Sequence, residues 1–258
     1  MQSTPPVTPA ENPGAADDST EEARLAHVQA GERLAGRLGD VFKMVAAAFV
    51  ISLVIRIFLV QPFTIPSGSM SPLLTAGDFV FVDKSAYGWT LTSLPLAGPI
   101  STEEGTSASR LLGKPVKAGD VIVFVSPGGQ DYVKRMVASG GDRVEMRGGQ
   151  LVLNGRAVPC VVSKAREGLC RETLPNGASH LVRSNGSGPL SDMSEITVPA
   201  GHYFVLGDNR DDSADSRLSR ADGGVGLVPD ANVIGRASRI FFSAHGGIRW
   251  DRIGQAID

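Results

Sequence analysis

The chain has 258 residues, 42% of them hydrophobic, which is enough apolar material for a buried core and excludes a wholly disordered protein. The formal net charge is −2, and 20 of the 25 basic and 20 of the 27 acidic residues follow position 60, so no basic face suited to nucleic acid is implied. Aromatic residues make up only 6% and glycines number 31, a composition that favours short strands and tight turns over a helical bundle.

Residues 1–20 are rich in Pro, Ala, Thr, Ser and acids, and cannot repay their ordering entropy, so a disordered tail is expected there. From 21 to 43, Leu25, Val28, Leu34 and Leu38 recur at roughly helical spacing among charges, an amphipathic lead-in. Residues 44–60 carry no acid and one base, Arg56, and their length just reaches a bilayer span. Arg33, Arg37 and Lys43 precede this run, whereas after Arg56 the next basic residue is Lys84. That asymmetry predicts a single-pass anchor in the cytoplasmic (inner) membrane, with the N-terminus in the cytoplasm and residues 61–258 exported, to a periplasm or to the exterior. A buried soluble helix and a cleaved leader are the alternatives. The first fits poorly with an all-round apolar run, and the second with the long region that precedes the run and with the lack of a small-x-small pattern after it, where Gln61-Pro62-Phe63 follows.

Beyond the anchor, short β-patterned runs are predicted at Phe79–Val82, Val121–Val125, Tyr132–Val133, Gln150–Leu153, Tyr203–Leu206 and Ile240–Phe242. Gly140-Gly141, Gly148-Gly149, Asn154-Gly155 and Asn185-Gly186 punctuate them. The expected fold is mainly β, an antiparallel catalytic domain behind one N-terminal transmembrane helix. Two stretches read as inserts, near 85–115 and 158–199. The second holds Cys160 and Cys170, which an exported location would allow to bridge, two unpaired small hydrophobes being the alternative.

Three segments could carry chemistry. Pro66-Ser67-Gly68-Ser69-Met70 follows the apolar run at once and could present a serine hydroxyl on a tight turn, although Gly-Ser clusters are commonly plain loops. Such a nucleophile needs a base. The histidines are His27, His180, His202 and His245; none sits in a recognisable acid motif, though a Ser-His-Asp set could still assemble in space. A lysine serves if burial disfavours its ammonium form. Lys134 lies in a strand-like run with apolar neighbours, although alternation alone reads Lys134 and Arg135 as a solvated patch. The third segment is Gly207–Arg217, a glycine-led loop of carboxylates, an amide, hydroxyls and guanidinium groups. Its Asp spacing invites comparison with calcium loops, but the Gly and the bidentate Glu of an EF-hand are missing, so ion pairs that order a turn fit better.

Taken together and in order, Phe63–Pro72, Gly119–Phe124, Tyr132–Val144 and Gly207–Arg217, with Gly226–Arg236, resemble bacterial type I signal peptidases, the membrane-bound Ser-Lys leader peptidases of family S26. The resemblance covers nearly everything after the anchor except the inserts. It implies Ser69 as nucleophile and Lys134 as general base. It further implies an oxyanion hole from Ser67 Oγ and the Ser69 N–H, Ser213 positioning the lysine ammonium, and Asp208, Asp215 and Arg217 as structural supports. Ile65 and Val133 match positions lining a pocket for a small side chain before the cut. Leu73 and Ala118 depart from the family pattern, where Thr or Ser and a basic residue are usual. The implied partners are secretory preproteins and the phospholipid membrane, with no metal or organic cofactor. Ser69 is nine residues past Val60, which keeps the site near the outer membrane surface, where signal peptides expose their scissile bond. A narrower Ser-Lys peptidase, a self-cleaving repressor and an inactive anchored β-rich scaffold are the rival readings, and the anchor argues against the repressor.

Overall fold

A computed structural model describes residues 39–55, 59–89, 113–163 and 168–258. The expected tail at 1–20, most of the lead-in, Arg56 and the centre of the 85–115 insert lie outside the described residues. The chain divides into two units, residues 1–53 and 54–258. In the first, the described residues belong to a helix running from 39 to 55, on which Phe42, Met44, Val45, Phe49, Val50 and Ile51 are exposed. Seventeen helical residues rise about 26 Å, and no helix among the described residues is long and apolar enough to cross a membrane. Val60, the last residue of the expected anchor, already belongs to a strand.

The described residues of the second unit form fourteen strands. In chain order these are β1 (Val60–Thr64), β2 (Asp78–Asp83), β3 (Val121–Val125), β4 (Asp131–Ser139), β5 (Arg143–Arg147), β6 (Gln150–Leu153) and β7 (Arg156–Ala157). They continue as β8 (Cys160–Val162), β9 (Leu169–Thr173), β10 (Ser179–Arg183), β11 (Met193–Thr197), β12 (His202–Leu206), β13 (Val228–Pro229) and β14 (Val233–Ser243). A seven-stranded sheet runs β1-β2-β14-β3-β4-β12-β13, a four-stranded one β11-β5-β6-β7, and a three-stranded one β10-β9-β8. Every paired strand is antiparallel.

Period-two alternation explains β2: Val80 and Val82 are fully buried while Phe79 and Phe81 face the other side. Phe81 stacks on Phe241 of β14 at 4.3 Å between ring centroids, and Phe79 meets Phe241 and Phe242. The long β14 pairs with β2 along its second half and with β3 along its first, with register shifts at Ala237/Arg239 and Ile240/Phe242. Such bulges bend a strand and increase local twist. The sheet curls, and β1 and the start of β4 line the same open cleft although three strands separate them in the sheet order. Gly148-Gly149 and Asn154-Gly155, all at positive φ, close the two-residue hairpins β5–β6 and β6–β7, as their dipeptide chemistry predicts.

Two strand edges along this cleft lack a neighbour among the described residues. β1 is the sheet's outer strand, and its Ile65 end turns both N–H and C=O towards the chain around Asp78 and Gly77, so Pro62, Thr64 and Pro66 turn their backbone outward. Proline at an edge withholds the donor that stray pairing would need. On β4, pairing with β12 begins only at Arg135, which leaves the outer edge of Asp131–Lys134 open.

Candidate active site

Ser69 lies in the turn after β1, half-buried, and Lys134 lies on β4 with 3% of its surface exposed. Lys134 sits opposite Ile122 of β3, at the end of the cleft. Its Nζ donates to Ser69 Oγ at 2.7 Å. Burial pushes the Lys134 pKa down from 10.5 to about 8, against the opposing pull of Asp215, Asp208 and Asp212 and with help from Arg217. Ser67, exposed, donates its hydroxyl to Ser69 Oγ at 3.3 Å. Among the described residues the Ser69 N–H donates no backbone hydrogen bond, unlike its neighbours Ser71 and Leu74, whose N–H groups close the turn.

The Gly207–Arg217 loop leaves β12 directly beside this turn. Asn209 N–H donates to Ser69 O at 3.0 Å, and Asn209 Nδ2 to Gly68 O at 3.2 Å. Gly207 is required by close approach: a Cβ there would meet Ser213 Oγ at 2.2 Å and Ser69 O at 2.5 Å. Asp208 receives a two-pronged bond from Arg135, 2.8 and 2.9 Å, with both side chains at most 2% exposed. Asp215 accepts from Arg217 at 2.8 and 2.9 Å and from the Gly207 N–H at 3.1 Å, and Arg217 also donates to Arg210 O and Leu190 O. Ser213 is buried beside Gly207, and its Oγ has no hydrogen-bond partner among the described residues; Lys134 Nζ bonds Ser69.

Ile65 and Val133 both line the cleft, with Gln61, Phe63, Met70 and Tyr132, in an open volume of about 620 Å³ that ends on Ser69 and Lys134. None of the described histidines serves Ser69: both ring nitrogens of His180 are unpartnered, and His202 Nδ1 turns back to Ala200 O. Cys160 and Cys170 are joined in a disulfide between β8 and β9. Leu73 packs against the core beneath β1 and β2, and Ala118 O accepts from Asn176 Nδ2.

Sequence reasoning missed four supports. Arg135 reads locally as solvated, yet is 1% exposed because Asp208, Gly119 O and Asp258 O satisfy its donors. Asn209 and Gly207 stand within the quoted loop, but nothing local distinguishes a tie to a serine 140 positions away in the chain (209 − 69 = 140). Asp78, with no exposed surface, accepts from Arg249, Arg252, Ser243 and the Thr75 N–H. Burial works to raise the Asp78 pKa, but the bond from Arg252 and the others hold it below the ordinary value. Arg252 also donates to Leu73 O, so the C-terminal segment braces the chain just after the Ser69 turn.

A hydroxyl bonded to a desolvated amine, at the end of a cleft bordered by open strand edges, is equipped for acyl transfer on an extended peptide. The profile of the family described as signal peptidase, peptidase S26, matches residues 38–242. Signal peptidase I of Pseudomonas aeruginosa is 38% identical over 212 residues, which cover 75% of this chain and 68% of that protein. Signal peptidase I of Rickettsia typhi is 33% identical over 211 residues, covering 75% and 76%. A solved signal peptidase I from Enterococcus faecalis V583 is 31% identical and covers 48% of this chain and 98% of its own, with a TM-score of 0.31, too loose an overlay to bear on the fold. The chain therefore belongs to the signal peptidase family, peptidase S26, and is a serine peptidase of the signal peptidase I type.

Proposed function

We propose that this protein removes N-terminal signal peptides from exported preproteins at the outer face of the cytoplasmic membrane, with Ser69 as nucleophile and Lys134 as general base. The observation that carries the assignment is the 2.7 Å bond between Lys134 Nζ and Ser69 Oγ inside a buried setting. In its neutral form Lys134 takes the Ser69 proton as Oγ attacks the scissile carbonyl. The Ser69 N–H and the Ser67 hydroxyl receive the developing oxyanion, and Lys134 passes its proton to the leaving amine. The acyl-enzyme is then opened by a water that Lys134 deprotonates. Ser213 Oγ, buried and without a partner among the described residues, is available to accept from the lysine once it is an ammonium.

An extended signal peptide fits between the open edges of β1 and β4, and Ile65 and Val133 beside the catalytic pair favour a small residue before the cut. Two features support a membrane location. The helix at 39–55 exposes apolar side chains along its length, which suits lipid better than water. On the folded unit, Phe81, Ile248 and Trp250 are exposed, Trp250 at 73%, and Phe81 belongs to the aromatic cluster of β2 and β14.

The test is cleavage of one preprotein in lipid vesicles by wild type, Ser69→Ala, Lys134→Ala and Ser67→Ala, with mass spectrometry locating the cut. Both dyad variants should be nearly inactive, and Ser67→Ala should lose about 100- to 1000-fold in rate, the usual loss on removing an oxyanion donor. Near wild-type cleavage by Lys134→Ala would refute the mechanism.

A further inference from the structure

The three-stranded sheet β10-β9-β8 lies in the 158–199 insert, outside the segments that carry the proposed chemistry, yet it is tied to the Gly207–Arg217 loop at several points. Arg183 N–H donates to Asp208 O, and Arg210 N–H returns to Arg183 O, both at 2.8 Å. Glu172 of β9 receives Arg210 Nη2 on both carboxylate oxygens, at 2.5 and 2.7 Å, and both side chains are 3% exposed. Arg210 also reaches Gly207 O through Nε.

Three successive residues therefore grip three different parts of the molecule. Asp208 holds Arg135, the neighbour of Lys134; Asn209 holds the Ser69 turn through its backbone and its side chain; Arg210 is held by Glu172. A carboxylate this dry sits there only because the guanidinium faces it, and removing one partner leaves the other charged and unsatisfied. The loop would then shift to rehydrate Arg210, and Asn209 would move with it.

We infer that Glu172 is a positioning residue for the nucleophile: through Arg210 it fixes Asn209, and so the placement of Ser69 against Lys134. The insert thereby acts as a brace on the site, with the Glu172–Arg210 pair as its point of contact. This rests on Ser69 being the nucleophile. The leading influences on the Lys134 pKa are burial, Asp215, Asp208, Asp212 and Arg217, so the effect assigned to Glu172 is a geometric one.

Full-length protein in vesicles, assayed on a preprotein across pH, separates a positioning role from general loosening of the insert. Glu172→Gln should lower kcat about 10- to 100-fold, the scale of an ångström-sized misplacement, with KM within about twofold and the acid limb of the profile unmoved. Glu172→Asp, which keeps the charge and guards against a fold that fails, should lower kcat by less. The paired replacement Cys160→Ser with Cys170→Ser should lower Tm but keep kcat, because β9 stays paired to β10 along five residues without the bridge. Wild-type kcat in folded Glu172→Gln or Glu172→Asp would overturn the inference, as would an equal loss in the cysteine variant or a change confined to KM. Activity in the Ser69→Ala control would instead overturn the site reading on which it rests.

Discussion

Replacing Asp212 with asparagine probes the base without dismantling the site. The Asp212 side chain is exposed and forms no hydrogen bond or ion pair among the described residues, yet its charge helps to raise the Lys134 pKa. A lysine at its ordinary 10.5 is neutral in about 0.03% of molecules at pH 7, whereas at about 8 it is neutral in about 9%, roughly 300-fold more base. If neutral Lys134 is the reactive form, kcat/KM climbs about tenfold per pH unit on the acid side and levels off about one unit above the lysine pKa. Asp212→Asn removes a negative charge that favours the ammonium, so the limb moves to lower pH. Asp208, Asp215 and Arg217 keep acting, and solvent screens an exposed charge, so the displacement is smaller than the one Asp215→Asn would give. The assay is kcat/KM on one preprotein from pH 5.5 to 9.5, with Tm followed at each pH to exclude unfolding. A flat profile, or a limb centred near 6.5 that stays in place in Asp212→Asn, would refute Lys134 as the titrating base.

The same desolvation predicts that catalysis is held at a cost to stability. Lys134→Met should raise the unfolding free energy by about 3 kcal/mol at pH 7, since a folded pKa near 8 against 10.5 unfolded is a difference of that size. The gain is full below pH 8 and fades as the pH rises towards 10.5; equal denaturation midpoints at pH 7 would sink it. Gly207→Ala should abolish cleavage while Lys134 keeps its pKa direction, because the added methyl collides with Ser213 Oγ and Ser69 O; crystallography of an active variant would show the collision absent. His180 is held neutral by burial and then by Arg135, Arg210 and Arg171, well below its ordinary 6.5. The unfolded chain therefore takes up a proton that the folded one refuses, and stability falls as the pH drops below about 6.5. His180→Phe should flatten that acid slope in urea titrations, and an unchanged slope would contradict it.

Much of the sheet could be read from residue patterns. Val121–Val125 has the expected bounds because it is an unbroken apolar run, and Gln150–Leu153 because three apolar residues stand between the Gly148-Gly149 and Asn154-Gly155 turns. β14 extends well beyond Ile240–Phe242, since Gly235, Arg236, Ser238 and Arg239 interrupt its hydrophobic pattern while the backbone ladder continues through them. β4 was cut short for the same reason: Lys134 and Arg135 look solvated along the chain, and only distant partners make them interior residues. The strands of the 158–199 insert passed unread, because β9 and β10 alternate with charged and polar residues whose counterparts lie in the loop. The residues of the proposed dyad are recognisable as an ordered set of motifs. The brace from Glu172 was not, because an ion pair across 38 positions leaves no local signature.

Pro62 of β1 and Pro66 just beyond it set the terms on which a visiting chain can stay. Of the three outward backbone positions beside the cleft, Pro62, Thr64 and Pro66, only Thr64 has an N–H to offer, while all three present a carbonyl. A peptide on this edge must therefore supply most of the donors itself and leaves some of its own carbonyls unanswered. If this edge receives the substrate as proposed, the shortfall weakens the hold on a cleaved leader and favours its departure, so the same edge would set both entry and clearance. A second copy of the protein docking here edge to edge would meet the missing donors from both sides, so the same prolines disfavour edge-to-edge pairing between copies.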